Sequence, residues 1–151
     1  ERPWSRIAPA GLKHHMGSAP AHRPNVGVKL LYDSSFLYLY FRVEDRYVLA
    51  TAAQHQDAVC IDSCVEFFFT PGAETAAGYF NIEINCGGTV LFNHQVARGD
   101  DVVAVGADTI QRMDIHTSMP SRVFPEIQEP TVWTVSYRIP TGIDTSPLPM
   151  I

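Results

Sequence analysis

Two consecutive segments carry polar side chains in an arrangement that suits ligand binding. In residues 64–70 and 79–86, an apolar row alternates with a row that carries the polar side chains and Phe68. The charged and amide members are Glu66 on the first segment and Asn81, Glu83 and Asn85 on the second. Carboxylates and amides offer the acceptors and donors that sugar hydroxyls require. We therefore predict a carbohydrate site with Glu66 and Asn85 together at the centre of one sheet face, and an ordinary solvated face is the alternative.

A second candidate group lies on the segment from Phe36 to Val43. Its apolar residues alternate with Tyr38, Tyr40 and Arg42. Aromatic rings offer an apolar face to the C–H groups of a sugar ring. These three side chains are therefore further candidate carbohydrate contacts, and ordinary aromatic pairing between strands is the alternative.

The two glutamates also raise the question of catalysis. Glu66 and Glu83 on neighbouring strands could act as the acid and base of a glycoside hydrolase. The sequence around them shows no apolar pocket that would raise the pKa of one carboxyl. We therefore expect this chain to have no catalytic residue and no enzymatic activity.

Metal binding is a weaker prediction. Asp57 and Asp62 could bind calcium through loop oxygens, but no EF-hand spacing supports such a site. The six histidines show no ligand spacing beyond one adjacent pair, and adjacent side chains on an extended chain point to opposite faces. We expect no required cofactor, with calcium as an optional ligand. We also expect reduced thiols at Cys60, Cys64 and Cys86.

The composition is that of a globular chain with an acidic charge balance. Of the 151 residues, 46% are hydrophobic and 18% are charged. The net charge of −5 excludes nucleic acid as an expected partner, because non-specific binding to it needs a surplus of Lys and Arg. The apolar runs are too short to span a bilayer, so we expect no membrane insertion.

The dominant period of the sequence is two, which indicates strands. The strongest predictions are a hairpin over residues 26–43 and a strand over residues 132–139. Other predicted strands cover residues 64–70, 79–86 and 89–93, with weaker candidates at 102–105 and 111–116. Residues 119–130 contain three prolines and are predicted to form an ordered loop. The pattern predicts an all-β, helix-poor, two-layer antiparallel β-sandwich of the jelly-roll or immunoglobulin-like kind.

The length predicts a single domain over residues 1–151. The tail Pro147–Ile151 is apolar. Such a tail predicts either packing on the sheet or continuation into further strands, in which case the domain is truncated at its C-terminal end.

Four motifs in order resemble family 9 carbohydrate-binding modules. The motifs are Leu31–Asp33 with Leu37–Leu39 and Val43–Asp45, then Asp62–Phe68, Gly78–Thr89 and Trp133–Pro140. The resemblance extends from Lys29 to Pro140, which is most of the chain. It implies a β-sandwich that binds oligo- or polysaccharide without catalysis.

The resemblance also implies a biological setting. Such modules are commonly attached to secreted glycoside hydrolases, and some bind structural calcium. A role in polysaccharide breakdown with a parent or partner glycoside hydrolase follows. The implied location is secreted, periplasmic or at the cell surface.

By position, the resemblance carries site roles over to individual residues. Glu66 matches the family's strand glutamate, and Asn85 matches a polar ligand on the next strand. Glu83 stands where an arginine can occur, so the charge is reversed there. Cys60 stands at the position of one stacking aromatic, and the second aromatic would lie beyond the end of this chain. The chain is therefore closer to family 9-like relatives whose ligand the motif does not specify.

Two functions of other classes are alternatives at this stage. One is a haem- or redox-binding sandwich of the DOMON type, which uses Met and His ligands, although no such pair can be identified here. The other is a structural or adhesive sandwich without a sugar ligand. A Soret band in the purified protein would identify the haem-binding class.

Overall fold

The computed structural model of the chain describes residues 4–73, 75–99 and 101–143. The predicted position of the tail Pro147–Ile151 lies outside these residues. Eleven strands are described: β1 (Ala10–Leu12), β2 (Asn25–Tyr32), β3 (Phe36–Asp45), β4 (Val48–Ala50), β5 (Cys64–Phe69), β6 (Tyr79–Asn85), β7 (Val90–Gln95), β8 (Val103–Ala104), β9 (His116–Thr117), β10 (Val123–Ile127) and β11 (Thr131–Pro140). The described helical elements are α1 (Ala107–Gln111) and three 3₁₀ turns, Trp4–Arg6, Val59–Ile61 and Thr75–Ala77. None of these helices is long and apolar enough to cross a membrane.

The strands form two main sheets and a small ribbon, and every pairing is antiparallel. The first sheet has the order β1-β2-β3-β11-β9, and the second has the order β5-β6-β7-β8. The ribbon pairs β10 with β4. The predicted helix-poor, all-β, two-layer sandwich is confirmed.

The core lies between the two sheets because each contributes one apolar row. The buried residues of the first sheet are Leu39, Phe41, Val43, Trp133, Val135, Tyr137 and Ile139. The apolar core residues of the second sheet are Val65, Phe80, Ile82, Ile84, Val90 and Phe92. Since alternate residues of a strand point to opposite faces, the other row of each sheet must face outward.

The predicted hairpin over residues 26–43 is confirmed as β2 and β3. Its turn is held by Asp33, whose Oδ1 accepts hydrogen bonds from the backbone N–H groups of Ser35 at 2.7 Å and Phe36 at 2.8 Å. This is the turn chemistry expected of an aspartate between two strands. β3 then pairs with β11 along the whole length of both strands, from Phe36 opposite Pro140 to Asp45 opposite Thr131.

Two sequence predictions were wrong, one of a loop and one of a strand. Residues 123–127 form strand β10, although residues 119–130 were predicted to be a loop. Pro125 cannot donate a hydrogen bond, and it is tolerated because β10 has a register shift where it pairs with β4. Residues 111–116 were a weak strand prediction, but residue 111 ends helix α1 and only His116 enters a strand.

The connection between β5 and β6 depends on Gly78, which directly precedes β6. Its φ is +93°, a backbone conformation that side chains disfavour. A Cβ atom at this position would lie 2.5 Å from the carbonyl oxygen of Gln95 on β7. Gly78 therefore allows the start of β6 to lie directly against the end of β7.

We predict that Gly78→Ala lowers the free energy of unfolding by about 2–4 kcal/mol, from backbone strain together with overlap. Chemical denaturation monitored by circular dichroism measures the change. Gly72→Ala on the same connection is the control, because a Cβ there meets nothing within 4 Å. An equal effect of the two substitutions would contradict the prediction.

Candidate functional site

The outer face of the second sheet brings most of the predicted polar residues together. In the pairing of β5 with β6, Glu66 lies opposite Glu83 and Phe68 lies opposite Asn81. The rows continue onto β7, where Leu91 follows Glu83 and Asn93 follows Asn81. We call Glu66, Phe68, Tyr79, Asn81, Glu83 and Asn93 the outer patch. The predicted placement of Glu66, Asn81 and Glu83 on one face is confirmed.

The centre of the outer patch is rich in acceptors that have no donor. The side-chain amide of Asn81 donates from Nδ2 to Glu83 Oε1 at 3.0 Å. The remaining oxygens, Asn81 Oδ1 and Glu83 Oε2, are buried and have no hydrogen-bond partner. Asn81 is 6% exposed and Glu83 is 9% exposed. Buried acceptors without partners cost free energy, so this surface is suited to a ligand that donates hydrogen bonds.

Glu66 forms the accessible side of the outer patch. It is exposed, whereas Glu83 opposite to it is buried. Partial burial raises the pKa of Glu66, and the neighbouring charge of Glu83 raises it further. Burial and the charge of Glu66 likewise raise the pKa of the Cys64 thiol to about 12, which keeps that thiol protonated at neutral pH.

Two aromatic rings lie side by side on the same face as the carboxylates. Phe68 is 49% exposed, and its ring centroid lies 5.9 Å from that of Tyr79. Phe68 shares its face with Glu66, as the alternation along residues 64–70 predicts. Cys60 lies exposed on the 3₁₀ turn before β5 and offers no ring.

Asn85 shares the face of Glu66, but its side chain is already bonded within the protein. It is fully buried, and its side-chain atoms form hydrogen bonds within the protein. Its Nδ2 donates to Asp62 Oδ2 at 2.8 Å, while its Oδ1 accepts from the backbone N–H groups of Gly87 at 3.1 Å and Thr89 at 2.8 Å. The role of Asn85 at the centre of a ligand site stays a prediction, and these internal hydrogen bonds do not favour it. The segment after β4 folds over this end of β6, which a strand pattern does not reveal.

Asp62 is the partner that closes this network. Its carboxylate accepts from the backbone N–H groups of Thr51 and Ala52 at 2.9 Å, and from the Thr51 hydroxyl at 2.8 Å. Burial opposes ionisation, but the hydrogen bonds from Asn85, Ala52 and Thr51 outweigh it and lower the pKa of Asp62. Asp62 therefore clamps the segment after β4 onto the end of β6.

The two calcium candidates, Asp57 and Asp62, both accept hydrogen bonds from the backbone. Both oxygens of Asp62 face N–H or O–H donors, and Asp57 Oδ2 accepts from the backbone N–H groups of Ala53 and Gln54 at 3.1 and 3.0 Å. Within residues 4–73, 75–99 and 101–143, no group of three His, Cys, Asp or Glu side chains could hold a metal. Asp57 and Asp62 thus serve as loop acceptors, and calcium binding by the protein stays a prediction.

Tyr38, Tyr40 and Arg42 lie on the opposite side of the molecule. They occupy the outer row of β3 in the first sheet, because the other row faces the core. The Tyr38 hydroxyl donates to Asp33 at 2.8 Å, and Arg42 pairs with Glu44. The whole sandwich therefore separates these side chains from Glu66.

That opposite face has a cleft of its own. Its volume is about 320 Å³, and its lining includes Lys29, Tyr40 and Arg42. Tyr40 lies 5.6 Å from the ring of Trp4, measured between centroids, and Lys29 donates to the Trp4 carbonyl at 2.7 Å. The cations and rings of this cleft are thus already used within the chain. Sugar contacts at Tyr38, Tyr40 and Arg42 stay a prediction.

We predict that Asp62→Asn lowers the free energy of unfolding at pH 7 by about 2–3 kcal/mol, since an amide nitrogen would face N–H donors. Because the folded pKa is lowered, the stabilisation is present above the unfolded value near 4 and is lost as the pH falls through the folded pKa. Urea unfolding at several pH values measures both effects. The difference between the two proteins should shrink on acidification.

Asp57→Asn is the matched control for this prediction. Asp57 uses a single oxygen as acceptor, and an amide retains one. We expect little change in stability. Equal destabilisation by both substitutions would contradict the assignment of the clamp to Asp62.

Comparison with known proteins agrees with the fold. The chain is similar to a Bacteroides uniformis ATCC 8492 protein of known crystal structure, named as a "putative carbohydrate-binding protein". The TM-score is 0.82 at 22% sequence identity, and the match covers 91% of this chain and 62% of that protein. This chain thus spans less than two thirds of the length of its structural neighbour. No curated protein matches it.

The sequence itself matches a family description over most of its length. The model of the family described as "Carbohydrate-binding family 9" matches residues 5–144. This range contains every strand described above and the whole outer patch. The chain belongs to carbohydrate-binding family 9.

Proposed function

We propose that the chain is a non-catalytic carbohydrate-binding module whose ligand lies on the outer patch. The observation that carries the proposal is the pair of buried, unpartnered acceptors, Asn81 Oδ1 and Glu83 Oε2, beside the exposed ring of Phe68. Membership of carbohydrate-binding family 9 supports the same ligand class.

The proposed site has a polar part and an apolar part. Sugar hydroxyls would donate hydrogen bonds to Glu66, Glu83 and Asn81, which the protein leaves with free acceptor capacity. Phe68 and Tyr79 would cover the C–H face of the sugar ring. The patch has one such pair of rings, so the proposed affinity is weak.

The rigid scaffold supports recognition rather than turnover. Glu83 is held by the amide of Asn81 in the middle of a four-stranded sheet, so the acceptors keep fixed positions without a ligand. A preorganised site loses less conformational entropy on binding. The proposal therefore assigns no catalytic role to Glu66 or Glu83.

We extend the proposal to the setting in which such a module works. The module would act beside or attached to a glycoside hydrolase in polysaccharide breakdown, and would be secreted, periplasmic or located at the cell surface. A pull-down on insoluble polysaccharides, followed by identification of co-purifying hydrolase activity from the source cells, tests this extension.

We predict that Phe68→Ala and Glu66→Ala each weaken binding to an oligosaccharide ligand. Loss of charge-assisted hydrogen bonds from Glu66 corresponds to about 1.5–3 kcal/mol, or roughly tenfold or more in Kd. Loss of the Phe68 ring removes apolar contact and weakens binding in the same direction. Calorimetric titration against a panel of oligosaccharides measures both effects.

A thermal melt distinguishes a binding role from a structural one. Glu66 is exposed and faces another carboxylate, so Glu66→Ala should leave the melting temperature unchanged or slightly higher. For Phe68→Ala, the matched control is Tyr32→Ala, which also removes an aromatic ring. Tyr32 is 79% exposed and lies on the first sheet, away from the proposed site. If Glu66→Ala keeps the affinity but lowers the melting temperature, Glu66 is structural and the proposed site is wrong.

A further inference from the structure

The outer patch contains two carboxylates that face each other without a cation. Glu66 and Glu83 are direct cross-strand partners, a position in which Cβ atoms are about 4.5–5.5 Å apart and like charges repel. The ion pairs found in the described residues involve other carboxylates, those of Glu44, Asp45 and Asp114. The negative charge of the patch is therefore not balanced by a described Lys or Arg.

The hydrogen bonding of the patch has the same one-sided character. Within the patch, the buried side-chain atoms without a partner are Asn81 Oδ1 and Glu83 Oε2, and both are acceptors. One N–H group of the Asn81 side-chain amide is used by Glu83 Oε1. Among the neighbours in the same rows, Phe68 and Leu91 have no side-chain donor, and Asn93 offers only a neutral amide. What the patch lacks is a group that combines positive charge with several donors.

An ammonium group supplies what is missing. It carries a positive charge and three N–H donors, whereas a hydroxyl supplies one donor and no charge. Either group makes a charge-assisted hydrogen bond to a carboxylate, but only the ammonium also offsets the negative charge of the two glutamates. Among the described residues, no three metal-binding side chains lie close enough together to hold a metal ion. A bare metal ion would also make no use of the rings of Phe68 and Tyr79.

We infer that the outer patch selects a sugar bearing a free ammonium group, with the ammonium between Glu66 and Glu83 and the ring on Phe68 and Tyr79. This inference rests on the proposed carbohydrate-binding function and narrows its ligand class to unacetylated amino sugars. Charge repulsion from Glu83, which helps to raise the pKa of Glu66, is the strain that such a ligand would relieve.

Oligosaccharides of cellulose, chitin and chitosan provide the test, because they share one backbone linkage. They differ in the substituent beside the anomeric carbon, which is a hydroxyl, an acetamide or an amine. Calorimetry at mildly acidic pH, where the amine is protonated, should show the chitosan tetramer binding about tenfold or more tightly than the other two. Equal affinities for the three would overturn the inference and leave the proposed function standing. No binding of any of them or of a wider sugar panel would overturn both.

Charge-neutral variants assign the preference to the patch. Glu83→Gln and Glu66→Gln should each reduce the preference for the chitosan tetramer by about tenfold while changing the cellulose tetramer far less. Glu66 is exposed, so its variant remains informative if Glu83→Gln does not fold, which a thermal melt reveals. Glu129→Gln on the exposed loop before β11 is the matched control. If it reduces the preference equally, the ligand senses the net charge of the protein and the inference is overturned.

Discussion

Strand β6 is covered on both of its faces, and this constraint governs the arrangement around it. Its inner row, Phe80, Ile82 and Ile84, fills the core. Its outer row is polar and yet almost as inaccessible. Burying a polar group without a hydrogen-bond partner costs free energy. Each polar side chain of the outer row therefore needs a partner of its own.

The two ends of the outer row reach different solutions. At one end, Asn85 is fully satisfied by Asp62 and by the turn that leads into β7. In the middle, Asn81 and Glu83 satisfy each other only in part, and one oxygen of each has no partner. The saturated end stabilises the fold, and the unsaturated middle is where we propose that the ligand binds. This difference in satisfaction locates the proposed site.

The same separation explains why the two aromatic groups of the chain are not equivalent. Tyr38 and Tyr40 are tied to Asp33 and Trp4 on the first sheet, and they stabilise that face. Phe68 and Tyr79 contact each other beside carboxylates that have no cation. A ring next to unpaired acceptors is more useful to a sugar than a ring whose neighbours are already bonded.

Alternation along each strand was enough to predict the sandwich, the hairpin over residues 26–43 and the shared face of Glu66 and Glu83. It was enough because the strand period is two, so a buried apolar row dictates where its neighbours point. Strand alternation could not predict β10, since Pro125 reads as loop until β4 is placed beside it. Nor could it predict the hydrogen bond from Asn85 to Asp62, because that bond joins residues that lie 23 positions apart. Parity is a local property of the sequence, whereas hydrogen-bond satisfaction depends on which distant segment covers a side chain, and only the tertiary structure decides that.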